Sequence, residues 1–339
     1  MLNAINTTLK GKLWKHQAEA IDFAITRLNA NASPSLIRMP TGTGKTGVIA
    51  CLTMVSNPGA SLILTPWSNL RDQMVDDIKI EFWKTIGVSA PAKDAVPILP
   101  SSARKSIQTG TPAVYVATFS TLNELRRERI ADYQMLASAI SLVIVDEGHY
   151  EPAVEWGKSV KGLKALTLLL AATPYRNDLK LFRIADPRKS VHHLTHHDAE
   201  RKGIIRKLEF DDLHAQTDMQ SLTAAFAKKW VAAKKSGKLP SDAPRAIVCC
   251  KGHSEIEKVV MSLRKQNLAA IGIHDRFAKR KENFLQEKVP NKETEKAEIW
   301  VHQNKLTEGL DDARFCYLAL FTQIQNDRKL IQQIGRILR

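Results

Sequence analysis

The sequence predicts an α/β protein of two domains, each a mostly parallel sheet flanked by helices. Three observations carry that prediction. Short apolar runs alternate with longer mixed segments along the chain, the pattern of βα units on a parallel sheet. A glycine-rich turn at 39–46 sits between one such run and a helical segment. The length of 339 residues suits two domains at roughly 100–200 residues each. Apolar residues make up 44% and charged residues 25%, ordinary values for packed cores rather than disorder.

In the first half, strands are expected at 36–39, 61–65, 113–118, 142–146 and 166–172, with helices between them, notably 45–56 and 69–83. A polar, basic stretch follows over 177–209. Residues 221–235 read as one amphipathic helix, because Leu222, Ala225, Phe226, Trp230 and Val231 recur at helical spacing. The segment SGKLPSDAPR, 236–245, is a turn-rich loop. The alternation then resumes, with strands at 246–250, 269–273, 299–302 and 317–321 and helices at 254–266 and 328–338. The expected division is a first domain over 1–190, a linker and entry helix over 191–245, and a second domain over 246–339 that is cut short at its end.

Lys and Arg number 50 against 35 Asp and Glu, a net charge of +15. Such an excess draws polyanions through long-range attraction and counterion release. Nucleic acid is the first partner to consider; a merely soluble basic protein and a membrane surface are the alternatives. The basic residues are spread over many segments, which suggests a basic face on a folded body. The four cysteines, Cys51, Cys249, Cys250 and Cys316, form no CxxC pair. No disulfide framework is expected, and a reducing, cytoplasmic setting fits. The first thirteen residues, MLNAINTTLKGKL, have no apolar stretch of signal-peptide type. The longest apolar run, near 166–172, is far too short to cross a bilayer, so no membrane partner is expected.

The turn MPTGTGKT, 39–46, follows a predicted strand and opens a predicted helix, the context a phosphate-binding loop needs. Backbone N–H groups over Thr41, Gly42, Thr43 and Gly44 would cradle phosphate oxygens, and the two glycines permit the positive φ angles this requires. Lys45 would meet the β- and γ-phosphates of ATP, and the Thr46 hydroxyl would coordinate Mg²⁺. The strict GxxxxGKT form is not met, since Met39 stands at its first glycine. The matching acidic element is LVIVDEGH, 142–149. Asp146 at the strand tip would hold Mg²⁺, and Glu147 would polarise the attacking water. A DE pair alone is often only a solvated strand end; with the phosphate loop about 100 residues upstream, the two together specify an ATPase site.

The order of these motifs resembles superfamily 2 helicases and translocases of DEAD/DEAH type, and the resemblance covers nearly the whole chain. It implies two RecA-like P-loop NTPase lobes with the ATP site in the cleft between them. LWKHQAEAI, 13–21, resembles the Q-motif, where Gln17 would read the adenine edge. TPWSNLRDQ, 65–73, and ATFSTL, 117–122, resemble motif Ia and its successor, which in the family touch the nucleic-acid backbone. DEGH is similar to motif II, with His149 coupling the metal site to the next motif. AATPYRND, 171–178, resembles motif III through Ala172, Thr173, Pro174 and Arg176. AIVCCKGHSEIEKV, 246–259, resembles motif IV. LTEGLDDARF, 306–315, resembles motif V, with Gly309 and Asp311 near ATP. QQIGRILR, 332–339, resembles motif VI, which places Gln332 near the γ-phosphate and makes Arg336 and Arg339 the arginine fingers. A planar, permanently charged guanidinium suits the charge spread over the transferring phosphoryl group. The resemblance is strongest to restriction-enzyme and repair-type translocases, which puts DNA ahead of RNA. It implies an ATP- and Mg²⁺-dependent helicase or translocase touching nucleic acid through Pro66, Arg71, Thr118, Arg176 and His253. A nuclease or specificity subunit would be the protein partner. The alternative is an ATP-gated clamp or sensor that does not unwind.

Other features have plainer readings. Trp67 could stack on a base or pack within a domain. His192, His193, His196 and His197 lack a completing Cys or carboxylate at ligand spacing, so metal is not the reading. Cys249 and Cys250 lie in a predicted buried strand and belong to the core. The run 279–296 mixes both signs and reads as a solvated face rather than a nucleic-acid contact.

Overall fold

Apolar runs of four to six residues, too short for buried helices, form strands here. The computed structural model describes residues 6–55, 59–91, 94–107, 114–147, 154–172, 184–186, 188–213, 218–306, 312–324 and 327–338. The chain divides into two units, Met1–Arg201 and Lys202–Arg339. The first contains β1 (Ser35–Arg38), β2 (Ala60–Thr65), β3 (Ala95–Pro97), β4 (Val114–Thr118), β5 (Ile140–Val145), β6 (Leu166–Ala171) and β7 (Val191–His193). Their order in the sheet is β3-β4-β2-β5-β6-β1-β7, and every pairing is parallel. Helices α1 (Thr7–Lys10), α2 (Lys15–Asn29), α3 (Lys45–Thr53), α4 (Ser68–Asp76), α5 (Phe82–Thr85), α6 (Ala103–Ser106), α7 (Phe119–Glu128), α8 (Ile130–Ala139), α9 (Val154–Gly162) and α10 (His196–Arg201) accompany it.

A parallel sheet covered on both faces wants near-continuous apolar strands, and β2 and β4 are buried along their whole length. Side chains alternate between faces. Leu62, Leu64, Tyr115, Ala117, Val143, Val145 and Leu169 cluster with Leu122, Leu125 and Leu136 from the helices and with Leu163 just after α9. Their neighbours Ile37, Ile63, Ile144, Leu168 and Leu170 are fully buried on the other face.

The helix expected over 69–83 is interrupted. Asp77–Glu81 forms a π turn between α4 and α5. The Trp83 indole N–H donates to the Ile78 carbonyl at 2.6 Å. A side chain that takes a helical carbonyl is a sufficient cause for a widened turn. The distortion turns Phe82 toward α3, where a Cβ added at Gly47 would lie 2.6 Å from the Phe82 ring.

The second unit contains β8 (Arg245–Cys249), β9 (Ala270–Ile273), β10 (Leu285–Gln286), β11 (Ile299–His302) and β12 (Phe315–Leu320), again all parallel, in the order β10-β9-β11-β8-β12. Helices α11 (Met219–Lys235) and α12 (His253–Lys265) pack Phe226, Trp230, Ile256, Val260 and Leu263 against Ala246, Val248, Ile299 and Val301. Ile247, Trp300 and Phe315 fill the opposite face. The last helix, α13, spans Asp327–Ile334, shorter than the 328–338 helix expected at its C-terminal end. Of the expected linker 191–245, β7 and α10 lie within the first unit and α11 packs in the second.

At the start of β8 a buried ion cluster ties two strands together. The Arg245 Nη1 donates to Asp312 Oδ2 at 3.1 Å and to the Lys292 carbonyl at 3.0 Å. Arg314 donates to both Asp312 oxygens, at 2.8 Å and 3.1 Å from Nε. The Arg245 guanidinium also faces the Trp300 ring, 5.4 Å from its centroid.

Candidate functional site

In a parallel sheet the segments that follow the strands leave one common edge, where α/β proteins place their ligands. The segments after β1, β2, β4, β5 and β6 are those in which sequence reasoning found chemistry. β6 alone separates β1 from β5. Two strand spacings set their tips about 10 Å apart, so the phosphate loop and Asp146 face the same small volume.

The loop after β1 has the backbone that phosphate binding needs. Gly42 and Gly44 take φ of 88° and 76°. Gly44 is the N-cap of α3, so the positive end of that helix points into the loop. The loop is held from behind. Thr43 is fully buried, its hydroxyl donating to the Pro40 carbonyl at 2.7 Å. His16 pairs with the Thr43 carbonyl at 2.8 Å. Lys45 Nζ donates to the Met39 and Pro40 carbonyls, both at 3.3 Å. Thr41, Lys45 and Thr46 are half-buried. The residues present fit a triphosphate: the donor set is backbone N–H groups, one ammonium and one hydroxyl. They also fit Mg²⁺, which takes few protein ligands and keeps phosphate and water oxygens. Among the described residues no cluster of three His, Cys, Asp or Glu could hold a different metal.

Gln17 lies against this loop, its amide engaged within the protein. Its Nε2 donates to the Gly44 carbonyl at 3.0 Å, and its Oε1 accepts from the Trp14 N–H at 3.1 Å. A Cβ at Gly44 would fall 2.4 Å from Gln17 Nε2, a side-chain end that can shift, so it is the positive φ that calls for glycine there. Trp14 is a residue that sequence reasoning passed over. It is 55% exposed, and its ring lies 3.6 Å from that same Cβ position. An aromatic three residues before the glutamine was the available signal.

At the tip of β5, the Asp146 N–H continues the ladder to the Leu64 carbonyl at 2.9 Å. Asp146 Oδ1 accepts from the Glu147 N–H at 3.0 Å. Glu147 takes φ of 52°, a left-handed conformation costing about 1–2 kcal/mol for a residue with a Cβ. Backbone strain of this kind gathers at functional sites. His149, Thr173, Pro174 and Arg176 lie outside the described residues, as do Gly309, Asp311 and Arg339.

The residues expected to touch nucleic acid separate into two kinds. Trp67 is 52% exposed at the N-terminus of α4, which sets aside the reading that it packs inside a domain. His253 opens α12 at the tip of β8, half-buried, its ring 5.6 Å from that of His274. His274 in turn meets Gln303 at 3.0 Å, two residues the sequence did not single out. Pro66 is buried. Arg71 pairs with Asp72 at 2.7 Å. Thr118 is buried, and its hydroxyl caps α7 by accepting the Thr121 N–H at 3.1 Å. The exposed hydroxyl at that strand end belongs to Ser120, 2.8 Å from Thr118 Oγ1.

In the second unit, Gln332 is buried on α13 and Arg336 follows the helix, half-buried. Lys329, Gln333 and Arg336 recur at i, i+4 and i+7, one face of a helical turn. That face meets His302 at the end of β11, fully buried. Its Nδ1 accepts the Leu306 N–H at 3.2 Å, while its Nε2 is buried with no hydrogen-bond partner among the described residues. Burial first, then the charges of Lys329 and Arg336, push the imidazole down to about 3. The ring is therefore neutral at pH 7.

Residues 10–176 match the family model for the type III restriction enzyme, res subunit. No curated protein matches the chain in sequence. Among solved structures, the ATP-dependent Type ISP restriction-modification enzyme LlaBIII bound to DNA matches 96% of the chain with a TM-score of 0.59 and 16% identity. Dbp5 of S. cerevisiae, bound to RNA and ADP BeF3, matches 96% with a TM-score of 0.56 and 12% identity. The Mycobacterium smegmatis helicase Lhr, bound to ssDNA and AMP-PNP, matches 97% with a TM-score of 0.55 and 15% identity. The chain spans 27% of LlaBIII, 84% of Dbp5 and 46% of Lhr. At these identities the structural matches speak for the fold: two RecA-like units. Residues 10–176 are thus similar in sequence to the res subunit of type III restriction enzymes, and the chain as a whole is similar in fold to two-unit RecA-like proteins.

Proposed function

We propose that the chain is an ATP- and Mg²⁺-dependent motor on nucleic acid, a helicase or translocase, with DNA its track rather than RNA. The observation that carries this reading is the pairing, across one intervening strand, of a glycine loop shaped for phosphate with a strained Asp146–Glu147 strand end. The res-subunit match over the same residues and the net charge of +15 support it.

In this reading Lys45 and the loop N–H groups hold the β- and γ-phosphates of ATP. Thr46 and Asp146 would hold Mg²⁺, which supplies charge neutralisation at the phosphates. Glu147 accepts a proton from the attacking water and orients it toward the γ-phosphorus. Arg336, with Gln332 and Arg339, supplies positive charge and hydrogen bonds to the phosphoryl oxygens as the bond to the leaving diphosphate breaks. Arg71, Trp67 and His253 meet the nucleic acid. A nuclease or specificity module would come from elsewhere in a restriction-type assembly.

The test is ATP turnover with single- and double-stranded DNA and RNA added separately. The expected result is stimulation of about tenfold or more, a transition-state gain of roughly 1.4 kcal/mol, with DNA the stronger activator. Turnover indifferent to every nucleic acid would sink the motor reading, and stronger stimulation by RNA would overturn the choice of track.

A further inference from the structure

The helices of the first unit carry a cluster of arginines that the nucleotide site does not use. We propose that Arg104, Arg126 and Arg129 form a second contact for nucleic-acid phosphates, at the end of the helix layer remote from the phosphate loop. This contact rests on the reading of nucleic acid as the chain's partner and adds a place where that partner is held.

Topology sets the position. β4 ends at Thr118, at the edge that carries the phosphate loop, and α7 begins at Phe119. The ten residues of α7 carry the chain about 15 Å back along the strands. Arg126 and Arg129 therefore lie toward the opposite edge, at the other end of α7 from Ser120. There α9 passes alongside on its way to the start of β6, and Arg126 Nε donates to Ser159 Oγ at 2.9 Å. The Tyr133 hydroxyl of α8 donates to the Ser159 carbonyl at 2.6 Å.

Next to Tyr133, Asp132 is only 4% exposed, and it takes two guanidiniums. Arg104 Nε reaches its Oδ1 at 2.9 Å, and Arg129 Nε reaches its Oδ2 at 3.0 Å. One buried carboxylate thus balances one of two cations, and the third arginine is fastened to Ser159 beyond Tyr133. Lys105, Arg127 and Lys158 are exposed on the same helices, against Glu124 and Glu128 of α7. Like charges gathered in this way repel, and an anion that joins them offsets the repulsion. An arginine already fixed through Nε loses little freedom on binding, and its terminal nitrogens present a planar fork that matches phosphate. The Arg104 side chain is 67% exposed, so its fork is open to solvent. An acidic protein is the other polyanion with this charge; a chain read as bound to nucleic acid makes the phosphate backbone the nearer of the two.

The test is binding of a labelled DNA duplex to the full chain over a range of NaCl concentrations. Each phosphate contact contributes about 0.9 to the steepness of log K against log salt. Arg104→Gln/Arg126→Gln should reduce that steepness by about 1.8 and weaken binding about tenfold at low salt. Arg104→Gln alone should reduce it by about 0.9. Because Arg129 still balances Asp132 in that variant, it decides alone if the double variant does not fold. Lys235→Gln removes one exposed charge from the end of α11 and should leave the steepness as in wild type. A loss per charge no larger than that of Lys235→Gln overturns the proposal, while tight binding by wild type leaves the nucleic-acid reading standing. Polyglutamate is the second probe. If the double variant holds DNA as wild type does but releases polyglutamate, the cluster belongs to an acidic protein and the proposal fails. A wild type that binds neither DNA nor RNA overturns both readings.

Discussion

Lys45→Ala is expected to lower ATP turnover by about 10²- to 10³-fold, the scale seen when one preorganised charge or donor is removed from a transition state. The reason is local. The loop offers many N–H dipoles but, among its own residues 39–46, only one full positive charge. Without it the β- and γ-phosphates face backbone dipoles alone. The fold should survive, because Lys45 donates to Met39 and Pro40 at 3.3 Å, long bonds whose loss costs no more than about 1 kcal/mol. Phosphate release would be read beside the thermal unfolding midpoint. A variant that keeps its turnover removes Lys45 from the phosphate site; one that loses turnover and fold together removes the argument about locality.

The largest stability effect is expected at Asp312. Asp312→Ala leaves Arg245, itself buried, with a charge that its carboxylate no longer balances. Breaking a buried pair from one side costs about 3–5 kcal/mol. The carbonyls of Lys292 and Glu295 still accept from Arg245, but Arg314 is a second cation that disfavours the charge on Arg245, so the loss stays within that range. For a unit of this size that is a fall of roughly 10 °C in the melting of the second unit. Arg245→Met combined with Asp312→Leu should recover most of the loss, since an apolar pair removes both charges.

The same pair gives a pH signature. Burial alone would push the Asp312 carboxyl up. Hydrogen bonds from Arg314, with the charges of Arg314 and Arg245, outweigh it and hold the carboxyl below its ordinary 3.8. A depressed value means stability that is fully present above 3.8 and is lost as pH falls through the folded-state value. Below about pH 4 wild type should therefore lose stability more steeply than Asp312→Asn. Parallel acid-unfolding curves for the two would show that Asp312 does not carry this linkage.

How much of this was legible in the sequence varied with the physics. The phosphate loop was readable because its chemistry is backbone chemistry: Gly42 and Gly44 announce positive φ whatever surrounds them. The long strands were readable because both faces are buried and composition alone marks them. β3 and β10 were missed, since two or three residues carry no period. The π turn was hidden because its cause is a bond between Trp83 and the Ile78 carbonyl within a helix of ordinary composition. The left-handed turn at Glu147 was invisible because nothing in the residue type calls for it. The Arg245–Asp312 pair joins residues 67 positions apart, and sequence pattern reports neighbours along an element rather than partners across a sheet. Thr118 and Gln17 show the converse. Both were picked out by motif, and the structure gives their side chains the work of a helix cap and a loop brace.

The sheet order of the first unit has a consequence for synthesis. β1, which leads into the phosphate loop, has as neighbours β6 and β7, and Leu36 lies beside Leu169 and Val191. A ribosome at about 5–20 residues per second needs many seconds to cover that separation. During that interval the loop's supporting strand has no partner to bond to. The proposed nucleotide site is thus among the last parts of its unit to be assembled, and the nascent chain carries it unfinished past β2, β3, β4 and β5.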